Sequence, residues 1–444
     1  MESIISTASE DLLVAPIDFS IGKNTAQYVT AREQVTYFSS QNIVSPTGVR
    51  VAKFQVGNPT AFLDLSSLYF AFELTNLGSS AMKPLTAEAH CLFSRLIVKA
   101  AGQLVENIEL MNVQEEYVRR ILPLEKRKKL SNMFLGSTGG DDGHDLEAKP
   151  LAGGHSRTVL FRPMTSSVLN LKKFWPALLL GAQGLTFQLE CAPPGEAMQS
   201  AASTYQLTNL RILLDVVSLT SELTDQYTSL LLTGKSVFLE LEQSEATQHF
   251  LPGTSSKFSI SSARQFSRLN TLIAIFQQAP TAGQIVEQQV NNFYLPASAG
   301  ATLETNLVIN GQRQPAFNNK GTAEHWIRYL RGVGAYANIG TSTAISLDSF
   351  QGVVNSGGAD TPGRSFSVCF DLEKLPGHAS HTGTPIDSGG IINLHVIGAG
   401  ETSGEYVDRV ILMHHFSSVL ELSLIHISEP TRPRLISYAV FCLK

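Results

Sequence analysis

The feature that most constrains this chain is a faint internal repeat. Gly102-Gln103 and Gly311-Gln312 both sit where a hairpin turn is expected, 209 positions apart. Counted forward without gaps at that offset, Glu115 falls on Glu324, Tyr117 on Trp326, Val118 on Ile327, Arg119 on Arg328 and Ile121 on Leu330. Farther along, Phe161 meets Phe370 and Leu185 meets Leu394. Each match alone is at chance level, but several at one offset on matching patterns indicate duplication of a module of about 200 residues. PPGEAMQSAAST, Pro193–Thr204, is the natural linker. We therefore expect an arm over 1–30 and modules over 31–200 and 201–421.

Local patterning sets the class of element. Leu68, Phe70, Phe72 and Leu74 alternate with Tyr69, Ala71, Glu73 and Thr75, a period of two with one apolar face. Comparable runs lie at Val49–Val56, Leu185–Ala192, Leu210–Leu219, Val237–Leu241, Leu269–Gln277, Leu303–Ile309, Ile391–Ile397 and Val410–His415. Loops rich in Gly, Ser, Thr, Pro and Asn separate them. Asn310-Gly311 between two such runs is a type I′ hairpin signal, because both turn residues must take positive φ. Helical patterns are confined to Gln114–Leu122, Ser221–Leu232 and Thr322–Arg331. Many short strands with few helices predict an all-β chain of antiparallel sandwiches rather than an α/β enzyme.

Composition agrees. The 444 residues can hold two or three domains with sizeable cores. Only 16% are charged, with a net charge of −5, against roughly 25% charged in ordinary soluble domains. This balance argues against a disordered chain or a basic nucleic-acid coat, and suits a protein that hides much of its surface against neighbours. The four cysteines are scattered and form no CxxC pair, which leaves no disulfide framework and no zinc motif. No apolar run approaches the roughly 20 residues of a membrane span, and MESIISTASEDLLVAPIDF lacks the basic start of a signal peptide. An intracellular place of assembly is the expectation. From Leu422 the chain reads LSLIHISEPTRPRLISYAVFCLK, which resembles nearly residue for residue the translation of a transposase-type sequencing adapter and its index primer. Residues 422–444 are expected to be foreign to the protein rather than a native basic tail.

Three stretches are similar to capsid-like sequences of small eukaryotic viruses: FRPMTSSVLNLKKFWPALLLGAQGLTFQLECA (Phe161–Ala192), YQLTNLRILLDVVSLTSELTDQYTSLLLTGKS (Tyr205–Ser236) and FDLEKLPGHASHTGTPIDSGGIINLHV (Phe370–Val396). With two sandwich modules in tandem, each carrying a helix after a hairpin, the chain resembles the double jelly-roll major capsid proteins of DNA viruses. The lineage is that of polinton-like viruses, virophages and nucleocytoplasmic large DNA viruses, and the resemblance covers most of Phe54–Leu420. It implies two eight-stranded antiparallel jelly rolls, a homotrimer with a pseudo-hexagonal outline, and an icosahedral virion shell. The implied partners are sister chains, neighbouring capsomers, penton and minor capsid proteins and an internal membrane, with no sequence-specific nucleic acid. Before Arg32 the only basic residue is Lys23, so the genome-neutralising arm of many single jelly-roll RNA-virus capsids is missing.

Residues that could carry chemistry lack the company they need. LLTGKS, Leu231–Ser236, has the lysine of a phosphate loop, but Ser229 stands where GxxxxGK[ST] needs its first glycine. It also follows a helix pattern rather than preceding one, so a helix C-cap is expected. Gly332–Gly340 has the wrong spacing for a dinucleotide loop. His378-x-x-His381 sits in a loop, and His414-His415 on a strand point to opposite faces, so neither pair makes a metal site without a third ligand. Asp141-Asp142-Gly143-His144-Asp145 departs from the EF-hand pattern and reads as a solvated loop tip. Lys126-Arg127-Lys128-Lys129 reads as a solvated helix end, since a phosphate-binding surface needs more charges. Trp326, Ile327 and Leu330 form a stripe expected to pack on the second sandwich, with a trimer contact as the alternative. No GxSxG elbow or HExxH helix is present. The expectation is a non-enzymatic capsid subunit with no catalytic, cofactor or metal residues. The alternative is a tandem lectin- or cupin-like glycan-binding protein, whose aromatic platform would draw on Trp175 and Trp326, the only tryptophans.

Overall fold

The alternation at Leu68–Leu74 is the inward face of a long strand, with Leu68, Phe70, Phe72 and Leu74 each at most 1% exposed. Strands are the main elements among the described residues. The computed structural model describes residues 28–58, 61–123, 126–130, 148–177, 184–200, 203–233, 236–251, 256–278, 293, 295, 302–335, 343, 345–353, 361–362, 365–374, 383–386, 390–399 and 407–422.

The first module contains β1 (Val29–Phe38), β2 (Ile43–Val44), β3 (Val51–Val56), β4 (Phe62–Asn76), β5 (Phe93–Ala100), β6 (Gln103–Glu109), β7 (Ser156–Phe161), β8 (Leu185–Cys191) and β9 (Tyr205–Leu219). One sheet runs β1-β9-β4-β7, with β2 also on β9, and the other runs β3-β8-β5-β6. The second module contains β10 (Val237–Phe250), β11 (Lys257–Ser262), β12 (Phe266–Gln278), β13 (Glu304–Ile309), β14 (Gln312–Lys320), β15 (Gly352–Val353), β16 (Thr361–Pro362), β17 (Val368–Asp371), β18 (Thr384–Ile386), β19 (Ile392–Ile397) and β20 (Val407–Leu422). Its sheets run β10-β20-β12-β17, with β18 also on β12, and β11-β19-β13-β14, while β15 and β16 pair apart. Set aside the short β2, β15, β16 and β18, and each module has eight strands. In both, one sheet takes them in the order first, eighth, third, sixth, and the other second, seventh, fourth, fifth. All these pairings are antiparallel, which makes each module a jelly roll. Described helices include α1 (Met111–Ile121), α2 (Pro194–Ala197), α3 (Ser221–Leu232), α4 (Gly321–Gly332) and α5 (Leu347–Gln351), with a further helical turn over 126–130.

Three sequence-derived boundaries move. The division at 200/201 fails because β9 pairs with β1 and β4, as in Val35↔Leu214 and Phe70↔Ile212. A jelly roll must lay its last strand between its first and third, so the first module ends at Leu219 and Pro193–Thr204 is only the loop from β8 to β9. Strand β1 begins at Val29, inside the expected arm, and Leu422 pairs with Val237 at the end of β20. Residues 1–27 and 423–444 lie outside the described residues, as do Asp141–Asp145, His378, His381, the Gly234-Lys235 pair and most of the loops 136–155 and 337–364.

The duplication survives in detail. The two hairpins carry Ala101 (φ 48) with Gly102 (φ 82) and Asn310 (φ 51) with Gly311 (φ 79), the paired positive angles of the type I′ turn. Strand β14 has nine residues where β6 has seven. The left-handed residue at the helix start is therefore Leu110, just before α1, in one module and Gly321, the first residue of α4, in the other, two positions beyond the turn offset. The helix matches counted without gaps are shifted by those two positions.

Phenyl rings fill the first core: Phe93 stacks on Phe161 at 5.4 Å and meets Phe72 edge-on at 5.5 Å, while Phe70 lies 5.4 Å from Phe54. In the second module Phe350 lies 4.8 Å from Phe366 and 5.1 Å from Trp326. Burying each such side chain contributes roughly 1.5–3 kcal/mol, enough for these clusters to dominate module stability.

Candidate functional site

Helix α1 reads MNVQEEYVRRI, yet nine of its eleven residues are buried. A helix of that composition enters a core only if its charges pair. At a spacing of four they do: Arg119 Nε lies 3.0 Å from Glu115 Oε2, and Arg120 Nε lies 2.8 Å from Glu116 Oε1. Further partners come from elsewhere in the module. Arg119 Nη1 lies 2.8 Å from Glu88 Oε2, at the start of the 3-10 turn Ala89–Leu92. His90 on that turn sets Nε2 2.9 Å from Glu116 Oε2 and Nδ1 3.6 Å from Glu88 Oε2. Arg127 Nη2 reaches Glu116 Oε1 at 2.8 Å. The second oxygen of Glu115 accepts from the Met164 and Thr165 backbone N–H groups at 2.6 and 2.7 Å. Three carboxylates thus face three guanidinium groups and an imidazole, every one of these residues at most 1% exposed.

Arg127 corrects the reading of Lys126–Lys129 as a solvated helix end. It is 1% exposed while Lys126 and Lys129 face solvent. Glu88, Glu115 and Glu116 outnumber Arg119 and Arg120, and Arg127 supplies the missing charge. Burial by itself raises the Glu116 pKa. The Arg127 and Arg120 guanidinium groups and the His90 hydrogen bond more than reverse this, and hold the carboxyl well below the ordinary carboxylate range. Glu106 goes the other way: burial raises it although the hydroxyls of Ser166 and Ser167 donate to its oxygens.

The outer side of α1 meets the second module. Tyr117 Oη lies 3.0 Å from Ser367 Oγ, and its ring sits 6.0 Å from that of Phe293. Arg120 Nη1 donates to Ser365 Oγ at 3.2 Å, and its guanidinium lies 4.6 Å from the centre of the Phe293 ring. The Ser244 hydroxyl of β10 donates to Gln114 Oε1, and Gln243 Nε2 donates to Val105 O of β6 at 2.8 Å. A groove of about 340 Å³ runs along this seam between β6, β10 and β20, with the Arg264–Glu245 ion pair at 2.9 Å on its wall. The charge cluster fixes α1 within the first module, and hydrogen bonds of Tyr117, Arg120 and Gln114 with the β6–β10 contact form a clamp to the second; removing one charged member leaves another buried without its counter-charge.

Other sequence candidates fall elsewhere. His414 and His415 lie on β20, and burial pushes both down to about 4. Trp175 is fully buried, and Trp326 packs on Tyr329 and Phe350, so neither is an exposed aromatic platform. Ile327 of the expected stripe is 41% exposed, so that face of α4 is only partly covered. Helix α3 ends at Leu232 with Thr233 N bonded to Ser229 O, a helix end where a phosphate loop would need a strand. Cys91, Cys191 and Cys369 are buried free thiols, raised by burial, Cys191 to about 12. Among the described residues no three His, Cys, Asp or Glu side chains converge on a metal site, and no helix is long and apolar enough to cross a membrane. Sequence reasoning missed Glu88, His90 and Arg127 because their partners are distant in the chain. The one available signal was the pair of i,i+4 acid–base spacings in α1.

No protein-family model matches the chain, and no curated protein matches it significantly. Solved structures do. The Faustovirus major capsid protein superposes with a TM-score of 0.62 at 7% identity, covering 95% of this chain and 94% of that one. A cryo-EM structure of the Sputnik virophage gives a TM-score of 0.59 at 10% identity, covering 97% of both chains. This chain has the double jelly-roll fold of viral major capsid proteins. PBCV-1 VP54, fitted into a reconstruction of the virophage Sputnik, shares the fold too, with a TM-score of 0.57 at 12% identity over 91% of this chain and 97% of that chain.

Proposed function

We propose that this chain is the non-enzymatic major capsid protein of a DNA virus. Three copies form a pseudo-hexagonal capsomer, and capsomers tile an icosahedral virion shell assembled in the host cell. The observation that carries this reading is the pair of sandwiches with one strand order, clamped by a buried charged helix: two like modules in a rigid unit present six like modules when three units surround an axis. The modules are taken as 28–219 and 237–422, with flanking segments meeting neighbouring capsomers, penton and minor proteins or an internal membrane. A charged fraction of only 16% suits subunits that bury wide lateral surfaces. Size-exclusion chromatography with light scattering on the full chain is expected to report three times 48.1 kDa, with pseudo-hexagonal particles by negative-stain microscopy. A monomer at every concentration overturns the proposal.

A further inference from the structure

The groove along the seam is built by both modules. Strand β6 of the first contributes Leu104, while β10 and β20 of the second contribute Leu241, Phe416 and Leu420. Strands β10 and β20 pair in this stretch, with Gln243 opposite Phe416. Arg264, in the connection from β11 to β12, borders the groove through its ion pair with Glu245. A volume of about 340 Å³, lined by several apolar side chains and a few polar ones, is that of a small-molecule site. Water in such a groove leaves leucine and phenyl surfaces unmatched, whereas an apolar body covers them.

The charges at the groove already have partners. Glu245 lies 2.9 Å from Arg264, and Glu106 accepts from the hydroxyls of Ser166 and Ser167. Burial raises the Glu245 pKa, and Arg264 opposes this. An anionic ligand that takes Arg264 leaves the Glu245 carboxylate without its counter-charge, and a cationic one that takes Glu245 does the same to Arg264. Uncharged hydrogen bonding is what the groove still offers. Gln243 donates its Nε2 to Val105 O, and among the described residues its carbonyl oxygen has no donor. The Arg264 guanidinium carries N–H groups beyond the one aimed at Glu245. A hydroxyl suits either group, because it both donates and accepts. We propose that the seam groove binds a small uncharged amphiphile, an apolar body with one hydroxyl, that touches both modules at once. The body lies along Leu104, Leu241, Phe416 and Leu420, and the hydroxyl turns to Gln243 and Arg264. Neither module alone forms the groove, so the ligand binds the joined state and stabilises the seam. The site lies within one chain and does not depend on the capsomer reading.

The test uses the full chain, with 1-octanol as the probe and octanoate as its charged match. Titration calorimetry is expected to show one saturable octanol site per chain, with octanoate at least about 10-fold weaker. Thermal melting in octanol should give a midpoint that climbs with the logarithm of its concentration above Kd. Two variants remove the site, with circular dichroism to confirm folding. Ser418→Trp fills the groove, and Leu104→Asp puts a charge on its apolar wall at a residue 47% exposed, where the fold tolerates it. Each is expected to weaken octanol at least about 10-fold. Phe174→Glu, outside the groove, is expected to leave binding unchanged. If Ser418→Trp does not fold, Leu104→Asp decides alone. Absence of a saturable octanol site, octanoate binding as tightly as octanol, or undiminished binding in the folded variants overturns the proposal.

Discussion

Glu116 accepts from Arg120, Arg127 and His90 in a region closed to water, and its properties follow from that crowding. Glu116→Gln leaves two guanidinium groups facing too little negative charge. It is expected to cost about 3–5 kcal/mol, read as a lower urea midpoint. The ionised Glu116 stabilises the fold above the ordinary carboxylate pKa of 4.5, and that contribution is lost only in stronger acid. The histidines of β20 act in a milder window. His414 sets Nδ1 3.2 Å from Glu245 O, stacks 5.1 Å from Phe266, and is pushed by burial from 6.5 down to about 4. The unfolded chain therefore binds a proton below pH 6.5 that the folded chain refuses until near pH 4. Stability is full above that window and falls as pH drops through it, by up to about 1.4 kcal/mol per pH unit for one such group. His414→Leu is expected to make the acid limb of a stability–pH curve shallower, with His415 keeping part of it. At this scale the sequence was partly legible: the i,i+4 pairs of α1 could be seen, but burial of Arg127 could not, because a basic run looks the same with or without an acidic pocket to enter.

Elements facing a core were readable, and elements without a buried face were not. Strand β3 alternates exposed and buried along all six residues, and its pattern predicts that. Strand β1, VTAREQVTYF, has no buried face, so no period of two selects it. Strand β14, QRQPAFNNK, is polar with a proline, and only its hairpin partner reveals it. The hairpin turns make a direct comparison. Asn310 and Ala101 hold the same left-handed angle, φ 51 and φ 48, but alanine lacks the side-chain compensation that lets asparagine adopt it. Ala101→Gly is expected to stabilise the first module by about 0.5–1 kcal/mol, and Gly311→Val to destabilise the second by about 1–2 kcal/mol, both measured by thermal melting.

For the whole molecule, the clamp joins two sandwiches whose buried residues form one continuous cluster. Tyr117 is its hinge-pin, bonded to Ser367 and set against Phe293. With the clamp intact, heating is expected to give one calorimetric transition. Tyr117→Ala is expected to split it into two, because each sandwich has its own complete set of strands and can unfold separately once the interface is weakened. A single transition at lowered temperature would place the coupling elsewhere along the seam, for instance at Gln243 and Val105.

By itself the sequence determined the all-β class, the tandem duplication and the hairpin turns, since periodicity, glycine positions and repeat spacing are local properties written along the chain. Tertiary structure alone decided that Tyr205–Leu219 belongs to the first module, that a basic residue closes a buried charge cluster, and that α1 is mostly buried while its counterpart α4 is not. These depend on which distant segments meet. Strand pairing, desolvation and counter-charge are properties of pairs in space, and no single segment carries them.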